Sequence, residues 1–388
     1  MSNGESNAAP NGLDPALRDH LKLALVPGLG PKLTAALLDR FGSPAAVLRA
    51  TASQLRSVPL VGEKLAESFA ESFRTIDVAA EEALLAKHGV RAAVPGEADY
   101  PARLTTIPGS PSLLYLRGTL DAADTNAIGI VGSRACTPYG KRMAERIAAG
   151  LARAGWTVIS GLARGIDGAA HRGALDAGGR TLAVLAGGLS RIYPPEHADL
   201  ANEIVRRGCL VSETPMTVAP QPGMFPARNR IISGLSRAVV VVEANIKSGA
   251  LITVDHAAEQ GREVFAVPGP VDSPASAGCL ELIRKGAKMV RDADDILEDL
   301  RGISPPDPPL RKVVATNPTP SLFEPPAPTG LNPLQQSAWD ALADGAKHVD
   351  ELARCTGSGI GALNPALMQL ELKKLIRRLP GNQYERRT

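Results

Sequence analysis

The sequence has few aromatic residues and few cysteines, and each shortage excludes a class of protein. Phe, Trp and Tyr together make up 3% of the 388 residues, so the core must be built mainly from aliphatic side chains. The four cysteines form no CxxC pair and lie far apart, at Cys136, Cys209, Cys279 and Cys355. This spacing favours neither a zinc site nor a disulfide framework, and we expect no metal and no cofactor.

Long apolar runs and a strong net charge are also missing. No apolar run approaches the roughly 20 residues that span a bilayer, and the N-terminus lacks the apolar region of a signal peptide. The net charge is only +3, so composition neither requires nor excludes nucleic acid as a partner. We therefore expect a soluble, cytoplasmic protein that does not interact with membranes.

The length predicts two or three domains, and the first part of the chain suggests a small helical one. Residues 1–14 are rich in Asn, Ser, Gly and Pro and are expected to form a disordered tail. Residues 15–80 carry helical patterns around the tight turn Val26–Pro31, which predicts a helical, helix-hairpin-helix (SAM-like) domain. The amides of such a hairpin can meet DNA phosphates, but a simple packed helical domain explains the turn equally well.

The last part of the chain predicts a linker and a second small domain. Prolines recur between residues 301 and 330, a composition that predicts a semi-extended linker. Residues 331–388 contain three helical patterns followed by a short hairpin, which is the layout of a winged-helix domain. Such a domain serves either DNA reading or docking, and the sequence does not choose between them.

Residues 81–300 alternate strand and helix patterns. The run Ile128–Val131 predicts a buried strand, a helical stripe follows from Tyr139 to Ala154, and Trp156–Ser160 predicts the next strand. Further strand candidates are Thr181–Ala186, Cys209–Val211, Ala238–Val242 and Val264–Val267. Alternation of this kind predicts an α/β fold with a mostly parallel sheet.

Glycines, hydroxyls and cations follow three of these strands. The loops concerned are Gly132–Arg134, Gly161–Asp167 and Lys247–Gly249, and each leads into a helix. Because carboxyl ends of parallel strands share one edge of a sheet, the loops should converge there on a phosphate site. Their candidate ligands are Gly132, Ser133, Arg134, Arg164, Lys247, Ser248 and Gly249. Several cations at one edge suit a polyanion better than a single charge.

A further basic stretch, Phe225–Ser236, precedes the strand Ala238–Val242. It contributes Arg228, Asn229 and Arg230. A basic helical face is usually solvated, but the neighbouring Pro226 and two isoleucines favour a segment that is tied to the core.

The usual catalytic motifs are missing. The chain has no Walker lysine motif, no GxSxG elbow and no HExxH, and the loop at Gly132 is not GxGxxG. The nearest titratable pair is Asp167 and His171, one helical turn apart, for which a structural Asp–His contact is favoured over a metal or acid–base pair. We therefore expect no catalytic residue and no enzymatic activity.

Several runs together resemble the DNA-processing protein A family, also called DprA or Smf. They read IVGSR at Ile130, SGLARGIDGAAH at Ser160, FPARNRIISGLS at Phe225, SGALIT at Ser248 and GREVFAVPG at Gly261. The resemblance covers most of the chain and implies an extended, doubly wound Rossmann-like fold that binds and protects single-stranded DNA. It also implies a homodimer that loads a RecA-type recombinase during natural transformation. The phosphate site that it implies comprises Gly132, Ser133, Arg134, Arg164, Arg228, Asn229, Arg230, Lys247, Ser248 and Gly249.

Among the departures from the family pattern, one bears on contacts, and two alternatives accompany the resemblance. Leu280 stands where the family often has asparagine, which puts contacts at that position in doubt. The first alternative is a nucleotide-processing enzyme similar to the phosphoribohydrolases, but Val267–Pro270 lacks their Pro-Gly-Gly-x-Gly-Thr pattern. The second is an adaptor that binds a partner through the winged helix.

Overall fold

The computed structural model describes residues 13–300, 331–342, 347–373, 375–379 and 383–386. The chain divides into two compact units, residues 1–312 and 313–388. Nearly all of the expected tail (1–14) and all of the expected linker (301–330) lie outside the described residues. The domain boundaries drawn from the sequence stay a prediction.

The first unit begins with a helical region whose core is aliphatic and aromatic. Leu37, Val47 and Phe69 are fully buried there, and proline in the first turn of the first three helices pre-sets the backbone for helix. Gly28 adopts a φ of 78° in the predicted turn between the first two helices. The helices are α1 (Pro15–Leu25), α2 (Pro31–Phe41), α3 (Pro44–Leu48), α4 (Ala52–Leu55), α5 (Glu63–Thr75) and α6 (Ala79–His88).

The rest of the first unit is built on a large sheet. Its strands are β1 (Val90–Ala93), β2 (Leu114–Gly118), β3 (Ala127–Val131), β4 (Thr157–Ser160), β5 (Thr181–Val184), β6 (Cys209–Ser212), β7 (Ala238–Val241), β8 (Glu263–Ala266) and β9 (Lys288–Met289). Their order across the sheet is β1-β2-β6-β5-β4-β3-β7-β8-β9. The pairs β1–β2 and β2–β6 are antiparallel, and every pair from β6 to β9 is parallel.

Helices cover both faces of this sheet. They are α7 (Pro138–Arg153), α8 (Ile166–Asp176), α9 (Ala198–Arg207), α10 (Met224–Leu235), α11 (Ala250–Glu259), α12 (Ala277–Arg284) and α13 (Ala293–Asp299). All five residues of β3 are buried, as a central parallel strand with two covered faces requires. The prediction of a doubly wound, mostly parallel α/β fold is confirmed, with the predicted ends of α7 displaced by one residue.

The connections create a topological switch point. From β3 the chain first builds β4, β5 and β6 on one side, and it then crosses to β7 on the other side of β3. The loops that leave β3 and β7 therefore diverge, and the crevice between them is where such sheets bind ligands.

The second unit is a winged helix, as predicted. Its elements are α14 (Pro333–Ala341), β10 (Lys347–His348), α15 (Val349–Thr356), α16 (Ile360–Leu372), β11 (Ile376–Leu379) and β12 (Gln383–Arg386). Leu352, Leu363 and Leu367 are fully buried in its core. The predicted hairpin turn at residues 380–382 lies outside the described residues. Across the described ranges, we find no helix with the length and apolar character needed to cross a membrane.

Candidate nucleic-acid interface

A cavity of about 740 Å³ opens at the switch point, which is within the usual size range of ligand sites. The loops that follow β3, β4 and β7 all contribute to its wall, together with the first turns of α10. Lining residues that were predicted from the sequence are Gly132, Ser133, Arg134, Arg228, Asn229, Ser248 and Gly249. The three loops therefore converge on one cavity, as the sequence predicts.

The loop after β3 is held rigidly by Glu243, a buried residue just beyond β7. The Ser133 amide donates to the Glu243 carbonyl oxygen at 2.7 Å. The Thr137 amide and hydroxyl donate to the Glu243 carboxylate at 2.9 Å and 2.6 Å. A Cβ on Gly132 would lie 2.6 Å from a carbon of Ile166, so a larger residue does not fit. The loop is consequently fixed in place before any ligand arrives.

The loop after β4 packs directly against the loop after β3. Gly165 has a φ of 74°, and a Cβ there would lie 2.2 Å from the Ser133 carbonyl oxygen. The Ile166 amide donates to that same oxygen at 3.2 Å. Only glycine allows this approach, so the two loops present one continuous surface to the cavity.

Exposed Arg134 lies beside two aromatic rings at the cavity wall. Its guanidinium carbon is 4.5 Å from the centroid of the Phe225 ring. The ring of Tyr193, which is 43% exposed, lies 6.0 Å from that of Phe225 between centroids. A cation held over an aromatic face combines an anion ligand with a platform for stacking a planar group.

The other exposed cations surround the cavity without entering it. Arg164 lines an adjoining cleft and forms an ion pair with Glu196, whose pKa is lowered by this hydrogen bond. Lys247 is exposed beside the cavity, and the described residues provide no ion-pair partner for it. Ser248 and Gly249 line the wall where α11 begins. These groups place positive charge and a helix N-terminus around one opening.

Arg228 lies beneath the cavity as a buried cation. It is 5% exposed, and its Nη1 donates to the Gly161 carbonyl oxygen at 2.8 Å and also to the Val184 carbonyl oxygen. Burial lowers the pKa of Arg228 to about 10, so it stays protonated at neutral pH. Burial raises the pKa of the neighbouring Asp167 carboxyl, an effect that the positive charge of Arg228 opposes. Arg228 therefore joins the ends of β4 and β5 and contributes positive potential from below.

Arg230, by contrast, lies outside the cavity. It is 8% exposed, its Nη2 donates to Glu213 at 2.6 Å, and its Nε donates to the Gly109 carbonyl oxygen at 2.9 Å. Residues two positions apart on a helix point in different directions, so Arg228 and Arg230 cannot face the same ligand. Geometry does not support the predicted place of Arg230 in the phosphate site. Asn229 does line the cavity, and its Nδ2 donates to the Gly249 carbonyl oxygen at 3.3 Å.

The expected contact between Asp167 and His171 is replaced by separate structural bonds. Asp167 accepts a hydrogen bond from the Ala163 amide at 3.3 Å and thereby closes the loop after β4. His171 is fully buried, and its Nδ1 lies 2.7 Å from the Thr181 hydroxyl. Burial lowers the pKa of His171 to about 3. Asp167 reaches the cavity wall, whereas His171 does not line it.

Sequence reasoning missed Arg191 and the two aromatic residues. Arg191 is exposed and lines the adjoining cleft together with Arg134 and Arg164. It lies in the loop that follows β5, so the rule that identified cations after the other parallel strands would also have identified it. Tyr193 and Phe225 come from segments far apart in sequence, and no motif signals that their rings meet.

Comparisons with known proteins agree with this architecture. A family model described as DNA recombination-mediator protein A matches residues 91–301, a DprA winged helix domain matches 324–382, and a SAM-like helix-hairpin-helix tandem matches 21–75. Protein Smf of Synechocystis is 39% identical over 317 residues, which cover 76% of this chain and 79% of the relative.

Two solved structures are also similar. The X-ray structure of DNA processing protein A from Streptococcus pneumoniae has a TM-score of 0.63 and 35% identity, over 72% of this chain and 95% of that one. The second structure gives insights into the unique single-stranded DNA binding mode of DNA processing protein A from Helicobacter pylori, and it has a TM-score of 0.50 and 28% identity. That match covers 55% of this chain and 97% of the other.

Proposed function

Because this chain belongs to the DNA recombination-mediator protein A family, we propose that it binds single-stranded DNA in the cavity between β3 and β7. The observation that carries the proposal is the stacked pair of Arg134 and Phe225 on a rigid, glycine-lined wall. Phosphate dominates nucleic-acid affinity, and exposed cations at one opening supply the matching charge.

The aromatic rings favour a single strand over a duplex. An unpaired base can stack on Phe225 or Tyr193, whereas the bases of a duplex are already stacked on one another. No side chain of the cavity needs to read a base edge for this mode of binding. Sequence preference should therefore be weak, and salt dependence strong.

The residues divide into three roles in this proposal. Arg134 holds a phosphate directly. The Ser133 hydroxyl accepts from the Ala135 amide and can donate its own proton to that phosphate, whereas the Ser133 amide is already occupied by Glu243. Ser248 and Gly249 present the N-terminus of α11 to a second phosphate, with Lys247 and Arg164 at the rim. Arg228 acts through its field, while its hydrogen bonds remain with protein carbonyls.

We further propose that the protein works as a homodimer and passes its strand to a RecA-type recombinase. The support is membership of a family described as recombination mediators. Analytical ultracentrifugation tests the dimer, and recombinase filament formation on coated DNA, with and without this protein, tests the loading. A monomer, or no gain in filament formation, would contradict these two parts separately.

One observation favours a nucleotide-processing enzyme as the second candidate. Asp167 is a carboxyl group on the cavity wall whose pKa is raised by burial, a property that general acids and bases share. Its bond from the Ala163 amide and its proximity to Arg228 favour a structural role instead. Release of base from nucleoside monophosphates that disappears in Asp167→Asn would support the enzyme.

The binding experiment compares labelled single-stranded and duplex oligonucleotides of one sequence by fluorescence anisotropy, over a series of salt concentrations. We expect the single strand to bind more tightly and Arg134→Gln to weaken it. Arg91→Gln is the matched control, since Arg91 is an exposed, ion-paired arginine on the edge strand β1. Equal binding of duplex and single strand, or an unchanged affinity in Arg134→Gln, would contradict the proposal.

A further inference from the structure

Three arginines lie together at the edge of the sheet opposite the cavity. Arg237 and Arg262 immediately precede β7 and β8, and the first residues of these strands, Ala238 and Glu263, are register partners. The two arginines are therefore neighbours across adjacent strands. Arg103 belongs to a short 3₁₀ turn that packs on α10. We call this set the amino-edge cluster.

Two of the three guanidinium groups in the amino-edge cluster share one backbone carbonyl oxygen. Nη2 of Arg103 and Nε of Arg237 both donate to the Thr125 carbonyl oxygen, at 3.4 Å and 3.0 Å. Nη2 of Arg262 donates to the Gly234 carbonyl oxygen at 3.3 Å. Nε of Arg262 is buried and has no partner. Among the residues that the structure describes, no carboxylate forms an ion pair with any of the three.

This arrangement is electrostatically uncompensated. Burial lowers the pKa of Arg103, Arg237 and Arg262, and repulsion from Arg237 lowers the pKa of the other two further. The end of α10 favours a cation at Gly234, which explains the position of Arg262. The helix end does not explain why three guanidiniums, each with five donors, lie around only two carbonyl oxygens. All three are only half-buried, so an anion can reach them from solvent.

We propose that the amino-edge cluster is a second phosphate-binding site, which takes a phosphodiester of the same DNA strand that the cavity holds. This inference rests on the proposed function. Arginine forks match phosphate geometry, and a phosphate would satisfy the unused donors and the surplus charge together. The five residues of β3 separate the two edges of the sheet by about 17 Å, a distance that a strand of several nucleotides spans.

The test uses two single-stranded probes with the full-length protein. One has about four nucleotides, the lower end of single-strand site sizes, and reaches only the cavity. The other has about 30 nucleotides, well beyond the usual site size of one fold. The variant combines Arg103→Gln, Arg237→Gln and Arg262→Gln. The control combines Arg146→Gln, Arg153→Gln and Arg206→Gln, which removes the same charge from exposed positions of α7 and α9.

We expect the cluster variant to bind the short probe as wild type does and the long probe about tenfold or more weakly, since charge-assisted contacts are lost. The slope of log affinity against log salt for the long probe should become shallower by about 0.7, because the cluster neutralises one phosphate. The control should change neither quantity comparably. Thermal melts should show little change in stability, because the relief of like-charge repulsion offsets the hydrogen bonds lost at the Thr125 and Gly234 carbonyl oxygens.

Each contrary result has a distinct meaning. Unchanged affinity and slope for the long probe overturn the inference, whatever the short probe does. If inorganic phosphate stabilises wild type but not the variant while long-probe binding is unchanged, the cluster serves free phosphate and the inference is again wrong. A short probe that fails to bind wild type contradicts the cavity proposal instead. Should the triple variant not fold, Arg103→Gln and Arg237→Gln alone should each weaken binding of the long probe and leave binding of the short probe unchanged, and unchanged affinity for the long probe in both would overturn the inference.

Discussion

Replacing Phe225 with alanine should separate the contribution of base stacking from that of charge in the proposed DNA site. The ring of Phe225 is half-buried, carries the Arg134 guanidinium at 4.5 Å, and meets the ring of Tyr193 at 6.0 Å. Phe225→Ala removes the central surface of this arrangement and leaves every charged group in place. Affinity for a single strand should therefore fall, while the number of neutralised phosphates stays the same.

The size of the loss follows from two contributions. Stacking of one base on an aromatic ring is worth about 1–3 kcal/mol, which is a factor of roughly 5 to 150 in affinity. Loss of the cation–π contact, worth about 0.5–1 kcal/mol at an exposed site, frees Arg134 to move and adds a smaller effect. Because Phe225 is only half-buried, the cost to folding should be well below the about 3–5 kcal/mol of a core Phe→Ala change.

Anisotropy titrations with a single-stranded probe at several salt concentrations measure both quantities. Phe225→Ala should shift the binding curve and leave the salt slope unchanged, and Phe225→Tyr should restore affinity. Phe41→Ala is a matched control, since Phe41 is another half-buried phenylalanine beneath an arginine, with Arg40 at 5.9 Å. Wild-type affinity in Phe225→Ala, or a shallower slope of the kind expected when a charge such as Arg134 is removed, would refute the stacking argument.

Three further predictions concern individual charges. Lys247→Gln should make the salt slope shallower by about 0.7 without changing the melting temperature, and an unchanged slope would remove Lys247 from the interface. Arg230→Gln should leave DNA binding intact but cost about 1–3 kcal/mol of stability in urea unfolding, because the partly buried Glu213 loses its charged hydrogen-bond partner; normal stability with lost binding would reverse this assignment. His171 takes a proton near pH 6.5 when unfolded but only near pH 3 when folded, so acid removes stability across that window. About 2 kcal/mol should be lost between pH 7 and pH 5, and this loss should be absent in His171→Gln.

The sheet was predictable because a parallel strand that is buried on both faces forms a short, nearly continuous apolar run in the sequence. Apart from Gly129 and Thr181, β3, β5 and β7 are short runs of aliphatic residues. Every position in them is buried, and each strand is followed by a loop and a helical stripe. The edge of the sheet was harder to predict. β9 has only two residues, both exposed, so it carries no periodic signal, and the structure forms it because β8 offers a free edge.

The site was predictable at the level of loops but not of side chains. Which loops converge follows from strand polarity alone, and the loops after β3, β4 and β7 do line one cavity. Whether a side chain reaches that cavity depends on the direction in which it leaves the helix. Arg228 points beneath the cavity, whereas Arg230 points towards Glu213.

The aromatic pair illustrates the limit most clearly. Tyr193 follows β5 and Phe225 lies in the first turn of α10. Their rings meet only because the crossover to β7 carries α10 past the end of β5. Neither residue belongs to a glycine-rich motif, so local sequence gives no reason to join them. Phosphate affinity can thus be anticipated from motifs that each loop carries by itself. In the proposed function, preference for an unpaired strand depends on a tertiary contact, and a change in the length of the β6–α10 connection should weaken that preference while leaving phosphate binding largely intact.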